Sequence, residues 1–392
     1  MIGRILLKKG RDGPVRGGNP WVFSQAIARL EPTTLAPGEW AEVCDAASDV
    51  LGIGYYNPAT TIAVRMIEFG RRLEPEAIVE HRIRRALELR RRFIRSDTDC
   101  YRLLNGEGDG LAGVVIDRYG EVMVVQLLTA GAELMRDRIA AVLDDVIAPR
   151  TILERSQGAV RRQEGLADRV AVLAGEPASE AIVSENGIRI AVDFEHGQKT
   201  GYFLDQRENR LIAKELARDS RVLDAYCYAG GFTLAALAGG ARRAVAVDTS
   251  TRALAAARRN LELNGHRADA CELVHGDAPR YLAGGGAQFD LVVIDPPPFA
   301  RSLKDVARAG HLYVELNALA MRAVAPGGHL MTFSCSVHFG GEDFVRAVRI
   351  AQAKAQRNFR LLRRLGPGPD HPVMLGHAEG EYLTGLLLAD LG

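Results

Sequence analysis

The feature that most constrains this chain is a regular alternation of strand-like and helical segments from about residue 185 onward. Short apolar runs alternate with helical stretches such as TRALAAARRNLELNG. This pattern is typical of an α/β fold with a doubly wound parallel sheet and helices on both faces. The predicted strands are RVLDAY (221–226), RAVAVD (243–248), CELVHG (271–276), FDLVVID (289–295) and HLMTFSC (329–335).

Two further strand-like runs, FRLLRRL and EYLTGLLLADL, follow the last helical segment. The stretch between them, GPGPDHPVMLGHAEG, is rich in proline and glycine and suits a hairpin rather than a helical crossover. We therefore predict a parallel sheet that is closed by a terminal β-hairpin.

The preceding part of the chain has a different organisation, and 392 residues are too many for one ordinary core. Residues 1–72 contain short strand-like runs between Gly/Pro turns, which predicts a small β-barrel or sandwich. Residues 73–185 combine an arginine-rich helix with further strands and indicate a central α+β domain. The arginines of that helix suit either a solvated face or a phosphate-contacting surface. The α/β domain then covers residues 186–392.

Composition excludes several classes of protein. With a net charge of +1, the chain has no overall excess that would indicate a nucleic-acid or membrane partner, so such a surface must be local. Its five cysteines are scattered without a CxxC spacing, which predicts reduced thiols and no metal site. No segment approaches the length of a membrane span or a signal peptide, so we expect a cytoplasmic protein.

Acidic residues follow three successive predicted strands of the α/β domain. Asp224 precedes a turn with Gly230, Asp248 ends the second strand, and Asp277 follows the third. A carboxylate at the second position can bind both ribose hydroxyls of a nucleoside, and one at the third can meet an adenine edge. Asp248 and Asp277 could instead cap the helices that follow them.

These positions predict a nucleoside cofactor without a pyrophosphate, because the turn lacks the G-x-G-x-x-G spacing of a dinucleotide fingerprint. Together with the terminal hairpin, this favours S-adenosylmethionine over a nicotinamide cofactor. Besides the three aspartates, we expect Tyr226, Gly230 and Thr249 to contribute to the cofactor site.

Two motifs at later strand ends suggest the reaction. The fourth strand ends in DPPPF, where prolines after Asp295 form a rigid turn that could hold a planar base. The fifth ends in FSCS, where Cys335 is either a buried small side chain or a nucleophile. If these strands are neighbours, their ends lie roughly 5 Å apart, which puts Cys335 beside Asp295.

At these residues the sequence resembles the RlmI-type bacterial 23S rRNA cytosine-5 methyltransferases along nearly its whole length. GNPWVFSQAIARLEP resembles the family's N-terminal PUA domain, an RNA-binding β-barrel, and LLNGEGDGLAGVVIDRYG resembles its central α+β domain. GQKTGYFLDQRENR, DAYCYAGGFT, VAVDTS, DPPPF, FSCS and DHPV resemble motifs of its Rossmann-like class I methyltransferase domain. The resemblance implies that Lys199 and Tyr202 belong to a segment leading over the cofactor, and that the substrate is a cytosine of large-subunit rRNA.

Covalent catalysis would suit such a substrate, because a thiolate that adds to C6 of cytosine makes C5 nucleophilic. Cys335 and Asp295 supply the thiol and the acid that this chemistry needs. However, some RNA cytosine-5 methyltransferases carry a second cysteine after the fourth strand, and the loop DPPPFARS has none. We interpret Cys44, Cys100, Cys227 and Cys271 as structural.

Two other functions stay open at this stage. A guanine-N2 rRNA methyltransferase would use the same Asp-Pro-Pro platform without a cysteine nucleophile. The second alternative is a non-catalytic RNA-binding or assembly protein with a degenerate methyltransferase domain. The strand-end residues of this chain are intact, which argues against such a loss of activity. The sequence allows either a monomer or a homodimer.

Overall fold

The computed structural model describes residues 2–70, 75–286, 288–300 and 302–392. The chain divides into two compact units. The first comprises Met1–Val183, Val192–Leu204 and Pro369–Gly380, and the second comprises Ser184–Ala191, Asp205–Gly368 and Glu381–Gly392. The predicted domain boundary after residue 72 lies outside the described residues, and the predicted ranges 1–72, 73–185 and 186–392 stay predictions.

The first unit begins with a sheet whose strands pair in the order β2-β6-β5-β4-β1-β3. All neighbours are antiparallel except the pair β1 and β4. Apolar side chains such as Val22, Val43 and Val64 fill its core, which accounts for the alternating pattern of this region. The elements are β1 (Gly3–Leu7), α1 (Gly13–Arg16), β2 (Trp21–Phe23), β3 (Ile27–Glu31), β4 (Trp40–Cys44), β5 (Val50–Tyr56) and β6 (Ile62–Phe69).

A second sheet of this unit has the order β11-β10-β9-β8-β7, with α2 and α4 in contact with it. The apolar stripe of α2, which includes Ile78, Ile83 and Leu87, is buried against this sheet, as the helical spacing predicts. The elements are α2 (Pro75–Phe93), β7 (Cys100–Asn105), β8 (Val114–Tyr119), β9 (Val122–Leu127), α3 (Ala130–Leu134), α4 (Arg136–Ile147), β10 (Thr151–Ser156), α5 (Ala159–Gln163) and β11 (Arg169–Gly175).

Strands β12 (Glu180–Glu185) and β13 (Ile188–Asp193) pair with each other, and the sequence prediction missed them. Short 3₁₀ turns occur at Ser24–Ala26, Gly106–Asp109, Leu204–Gln206, Leu303–Asp305 and Ala378–Gly380. Among the described helices, none is long and apolar enough to cross a membrane.

The second unit is built around a sheet with the strand order β16-β15-β14-β17-β18-β20-β19. Its strands are β14 (Arg221–Ala225), β15 (Arg243–Asp248), β16 (Cys271–His275), β17 (Phe289–Ile294), β18 (Val324–Ser334), β19 (Phe359–Leu365) and β20 (Thr384–Asp390). Its helices are α6 (Arg207–Leu216), α7 (Gly231–Ala238), α8 (Thr251–Leu263), α9 (Ala278–Ala283), α10 (Val306–Ala323) and α11 (Gly341–Ala355).

This topology confirms the predicted α/β sheet with its terminal hairpin. Strands β14 to β18 run parallel to one another, whereas β20 runs antiparallel to both β18 and β19. The last strand therefore lies inside the sheet, and β19 lies at its edge. Apolar side chains of β17, β18, α10 and α11, among them Phe289, Leu330 and Phe344, form the core, and burying each contributes about 1.5–3 kcal/mol.

The strand order reverses between β14 and β17, where Ala225 is paired with Ile294. In open α/β sheets, ligands bind at the carboxyl ends of strands beside such a reversal. The parallel pairing brings the carboxyl ends of β14, β15, β17 and β18 to the same edge of the sheet. The residues that the sequence predicts for the site follow these strand ends.

Candidate active site

Cys335 and Asp295 lie at the ends of neighbouring strands. Ile294 of β17 pairs with Thr332 of β18. Asp295 is one residue beyond this last pair, and Cys335 is three residues beyond it. The sulfur of Cys335 lies 3.7 Å from the carbonyl oxygen of Pro296, the residue after Asp295. The predicted proximity of the FSCS and DPPPF motifs is thus present in the fold.

The serines on either side of Cys335 are both held by Tyr313 of α10. Ser334 Oγ donates to the tyrosine hydroxyl at 2.8 Å, and that hydroxyl shares a second hydrogen bond of 2.9 Å with Ser336 Oγ. Ser336 Oγ also accepts the backbone N–H of Ala300, in the loop that begins with DPPPF, at 3.3 Å. All four residues are buried, whereas Cys335 between the serines is partly exposed.

Sequence reasoning missed Tyr313 because nothing local connects a residue in the middle of α10 with a strand end 22 residues later. Its ring stacks on Phe339 with centroids 5.1 Å apart and packs edge-on against Phe344. Burial raises the pKa of Tyr313, so its hydroxyl keeps its proton at neutral pH. The hydroxyl can therefore donate to one serine while it accepts from the other.

Asp295 is oriented by a buried amide pair that the sequence analysis also missed. Gln206 Nε2 donates to Asp295 Oδ2 at 2.9 Å. The Oε1 atom of the same amide accepts from Asn209 Nδ2 at 2.6 Å, and Asn209 also donates to the Gly366 carbonyl. Because both amides are buried and hydrogen-bonded, they fix the direction of the Asp295 carboxylate. Both lie in the quoted segment DQRENR, but their spacing carries no signal of this contact.

Asp224 is buried beneath the turn that joins β14 to α7. Its Oδ2 atom accepts hydrogen bonds from the backbone N–H of Thr233 at 2.9 Å and from the Thr233 hydroxyl at 2.7 Å. Burial raises the pKa of Asp224 to about 6. The carboxylate thus holds the start of α7 against the strand end, and direct contact with a cofactor stays a prediction.

The turn above Asp224 has an unusual backbone. The φ angles of Tyr226, Tyr228 and Gly230 are all positive, at 68°, 48° and 80°. Residues other than glycine rarely adopt this region of backbone conformation. At Gly230, a Cβ would also lie 3.1 Å from that of Ala257. Backbone strain of this kind is concentrated at ligand sites, which supports the predicted turn around Tyr226 and Gly230.

Asp248 connects this turn to the end of β15. Its Oδ2 atom accepts the Tyr228 N–H at 3.0 Å and its Oδ1 atom accepts the Ser250 N–H at 2.8 Å. Ser250, rather than Asp248, caps α8. Thr249 is exposed beside it.

Asp277 caps α9 by accepting the Arg280 N–H at 3.1 Å. The capping interpretation thus applies to Asp277, and its contact with an adenine edge stays a prediction.

Lys199 and Tyr202 lie in the first unit. The Lys199 carbonyl accepts from Arg155 Nη1 at 3.1 Å, and its ammonium lies 4.5 Å from the centre of the Phe203 ring. Tyr202 is buried, and its backbone N–H donates to the Tyr119 hydroxyl at 3.2 Å. The role that the family resemblance implies for these two residues stays a prediction.

The environments of the cysteines separate Cys335 from the others. All five fall within the described residues, and Cys335 alone is partly exposed. Burial raises the pKa of the Cys227 thiol, and it raises that of Cys271 to about 12. Buried thiols of this kind are unreactive, so only Cys335 has the access that a nucleophile requires.

Comparison with known proteins identifies the family. A family model described as S-adenosylmethionine-dependent methyltransferase matches residues 114–380, and a PUA-like domain model matches residues 5–69. This chain belongs to the S-adenosylmethionine-dependent methyltransferases. The predicted cofactor is therefore confirmed as S-adenosylmethionine, and the N-terminal sheet is confirmed as a PUA-like domain.

Full-length relatives confirm the resemblance to the RlmI-type methyltransferases. Proteins named ribosomal RNA large subunit methyltransferase I are 40% identical in Photobacterium profundum and 38% identical in Klebsiella pneumoniae strain 342. Each alignment covers 98% of this methyltransferase and 98% of the relative.

Solved structures agree with this fold at lower sequence identity. A Streptococcus mutans chain, described as a candidate SAM-dependent methyltransferase, has a TM-score of 0.83 at 22% sequence identity. The superposition covers 99% of this chain and 100% of the Streptococcus mutans chain. A SAM-dependent methyltransferase from Agrobacterium tumefaciens has a TM-score of 0.52 at 19% identity, covering 75% of this chain and 90% of its own.

The residues at the sheet edge fit the cofactor of this family. Asp248 and Asp277 supply carboxylate oxygens beyond adjacent strands, and the strained turn at Tyr226 to Gly230 brings backbone close to the reversal in strand order. Within the described part of the chain, no group of three or more His, Cys, Asp or Glu side chains could hold a metal ion.

Proposed function

We propose that this methyltransferase acts on C5 of a cytosine in large-subunit (23S) rRNA through a covalent adduct with Cys335. The observation that carries the proposal is the partly exposed Cys335 thiol, 3.7 Å from the carbonyl of Pro296 and directly beside the Asp295 strand end. The names of the full-length relatives support an rRNA of the large subunit as substrate.

The chemistry explains why a thiol is needed. C5 of cytosine is a poor nucleophile, but addition of the Cys335 thiolate to C6 moves the electrons of the C5–C6 double bond onto C5. S-adenosylmethionine, when bound, supplies an electrophilic methyl group to this carbon. Loss of the C5 proton to a base then restores the double bond and expels the thiolate, which frees the enzyme.

Asp295 would bind the edge of the base during these steps. Addition at C6 increases the electron density at N3 of the ring, where a carboxyl group can form a hydrogen bond or share a proton. Gln206 holds this carboxyl by a hydrogen bond of 2.9 Å, so its direction is set before the base arrives. Pre-set geometry of this kind lowers the cost of reaching the transition state.

Tyr313 is a positioning residue in this proposal. By binding the hydroxyls of Ser334 and Ser336, it fixes the backbone on both sides of Cys335. The same contacts attach the DPPPF loop through Ala300, so the thiol and the base platform are held by one hydrogen-bond network.

The decisive experiment compares Cys335→Ala with the unmodified enzyme on 23S rRNA that lacks the modification. Nucleoside mass spectrometry should detect 5-methylcytidine with the unmodified enzyme and none with the variant, while calorimetry shows equal binding of S-adenosylmethionine. Cys271→Ala, which removes a buried thiol of the same sheet, is the matched control and should retain the product.

A mechanism-based trap tests the adduct itself. RNA that contains 5-fluorocytidine has no C5 proton to lose, so the unmodified enzyme should stay attached to it through Cys335. Formation of 5-methylcytidine by Cys335→Ala would falsify the nucleophile assignment. Appearance of N2-methylguanosine instead would replace the proposed chemistry with exocyclic amine methylation.

A further inference from the structure

A strongly basic stretch lies outside the motifs of the candidate active site. Residues 344–369 hold six arginines and one lysine and no acidic residue, whereas the whole chain has 50 basic and 49 acidic residues. The remainder of the chain is therefore net negative. The stretch covers most of α11 and all of β19, the edge strand of the second-unit sheet.

Ion pairs neutralise only part of this charge. Three of its side chains pair with acids of neighbouring elements: Arg357 with Asp390, Arg364 with Glu342, and Lys354 with Glu315. The other four are exposed and have no acidic partner in the part of the chain that the structure describes. We call these four the basic rim: Arg346, Arg349, Arg360 and Arg363.

The two halves of the basic rim both lie along the edge strand β19, but on opposite faces of the sheet, since Arg363 and Arg360 alternate with Arg364. Glu342, Arg346 and Arg349 are spaced four and three residues apart, so they share one stripe of α11. Glu342 bonds to Arg364 of β19 at 3.1 Å, which places this stripe along the edge strand. Arg360 and Arg363 belong to that strand, whose other side pairs with β20.

The arginine-rich helix α2 differs from the basic rim in this respect. Most of its cationic side chains are paired with acids: Arg82 with Glu68, Arg84 with Glu80, Arg85 with Glu88 and Arg90 with Asp109. An arginine count therefore overstates the charge that α2 can offer to a phosphate, and its pairing favours the solvated-face interpretation.

The basic rim lies within reach of the candidate active site. Arg363 is paired with Leu387, which is paired with Met331 of β18, so two strand spacings separate the arginine from β18. Cys335 is four residues beyond Met331, and together these steps amount to roughly 16 Å. A phosphodiester chain of a few nucleotides is long enough to cover this distance.

We infer that the basic rim binds the phosphodiester backbone of the RNA substrate beside the methylated nucleotide. This inference rests on the proposed function for the identity of the substrate. Four exposed guanidinium groups on one edge complement a phosphate chain, and each contact releases counterions from the RNA. The rim supplies affinity without reading sequence, because phosphates are the same at every nucleotide.

Charge-removal variants test this inference on the full chain. The variants are Arg360→Gln with Arg363→Gln, Arg346→Gln with Arg349→Gln, and all four together. The probe is a 23S rRNA transcript, whose affinity is measured over a series of salt concentrations. Each pair should lower the magnitude of the salt slope by roughly 1–2 and weaken binding about tenfold near 0.1 M salt.

Controls separate charge from other effects. Arg84→Gln with Arg85→Gln removes two paired arginines of α2 and should leave the salt slope unchanged. Replacement of the four rim residues by lysine should restore most of the affinity, since a phosphate contact requires only positive charge. The fourfold glutamine variant should raise the KM for RNA while kcat and S-adenosylmethionine binding stay as in the unmodified enzyme.

Several results would overturn the inference. Arginines at a sheet edge can also serve only to prevent edge-to-edge pairing, and the glutamine variant would then self-associate in sedimentation while it binds RNA normally. Unchanged affinity for the transcript with reduced methylation of a ribosomal particle would indicate an acidic protein partner instead. If the enzyme forms no 5-methylcytidine but its RNA affinity still depends on the rim, the proposed function fails and the inference stands.

Discussion

Replacing Tyr313 by phenylalanine should reduce the rate of methyl transfer through the position of Cys335. The change removes one hydroxyl and keeps the ring that packs against Phe339 and Phe344. It eliminates the hydrogen bonds of 2.8 and 2.9 Å to Ser334 and Ser336. At about 0.5–1.5 kcal/mol for each bond, the free energy of unfolding should fall by about 1–3 kcal/mol.

The kinetic effect is separate from this loss of stability. If the two serines relax, Cys335 moves relative to the base, and a displacement of about 1 Å can cost on the order of 100-fold in rate. Single-turnover methyl transfer from labelled S-adenosylmethionine should therefore slow by about 10- to 100-fold. The affinity for S-adenosylmethionine should not change, because the residues predicted to bind the cofactor, Asp248 and Asp277, follow other strand ends.

Tyr281→Phe is the matched control for this experiment. Tyr281 is partly buried and packs against the same core, and its hydroxyl forms no hydrogen bond with the described residues. This variant should retain both stability and rate. A Tyr313→Phe enzyme that loses stability as calculated yet transfers methyl groups within twofold of the normal rate would refute the positioning role.

Two further predictions concern the carboxylates of the site. Gln206→Ala should lower kcat about 10-fold or more with unchanged S-adenosylmethionine binding, because Asp295 loses the amide that directs it; an equal rate in stopped assays would contradict this. Burial raises the pKa of Asp224 to about 6 from an ordinary value near 4, so the folded state retains this proton longer between pH 4 and 6. The contribution of Asp224 to stability therefore falls as pH rises through that window, by about 3 kcal/mol. Denaturant unfolding between pH 4 and 6 should show this fall in the unmodified enzyme and not in Asp224→Asn. The same dependence of the free energy of unfolding on pH in both proteins would disprove it.

The order of elements in the second unit could be predicted from the sequence because it depends on local patterns. Apolar runs between helical segments set strands β14 to β17 to within one residue of their observed ends. Parallel strands present their carboxyl ends at one edge, so Asp224, Asp248 and Asp295 were expected there before any contact was known. The pair β12 and β13 was missed because it lies at a predicted domain boundary, between the central α+β domain and the α/β domain.

The sequence by itself determined the fold class, the cofactor and the chemical groups that follow each strand. Tertiary structure alone decided how those groups are held. The contact of Tyr313 with both serines beside Cys335 and that of Gln206 with Asp295 join residues 21 to 89 positions apart. The same holds for charge, since an arginine's availability to RNA depends on whether folding brings an acid next to it. α2 and residues 344–369 each contain six arginines, but most of those in α2 are paired with acids of the helix itself or of neighbouring elements, whereas the four arginines of the basic rim are not.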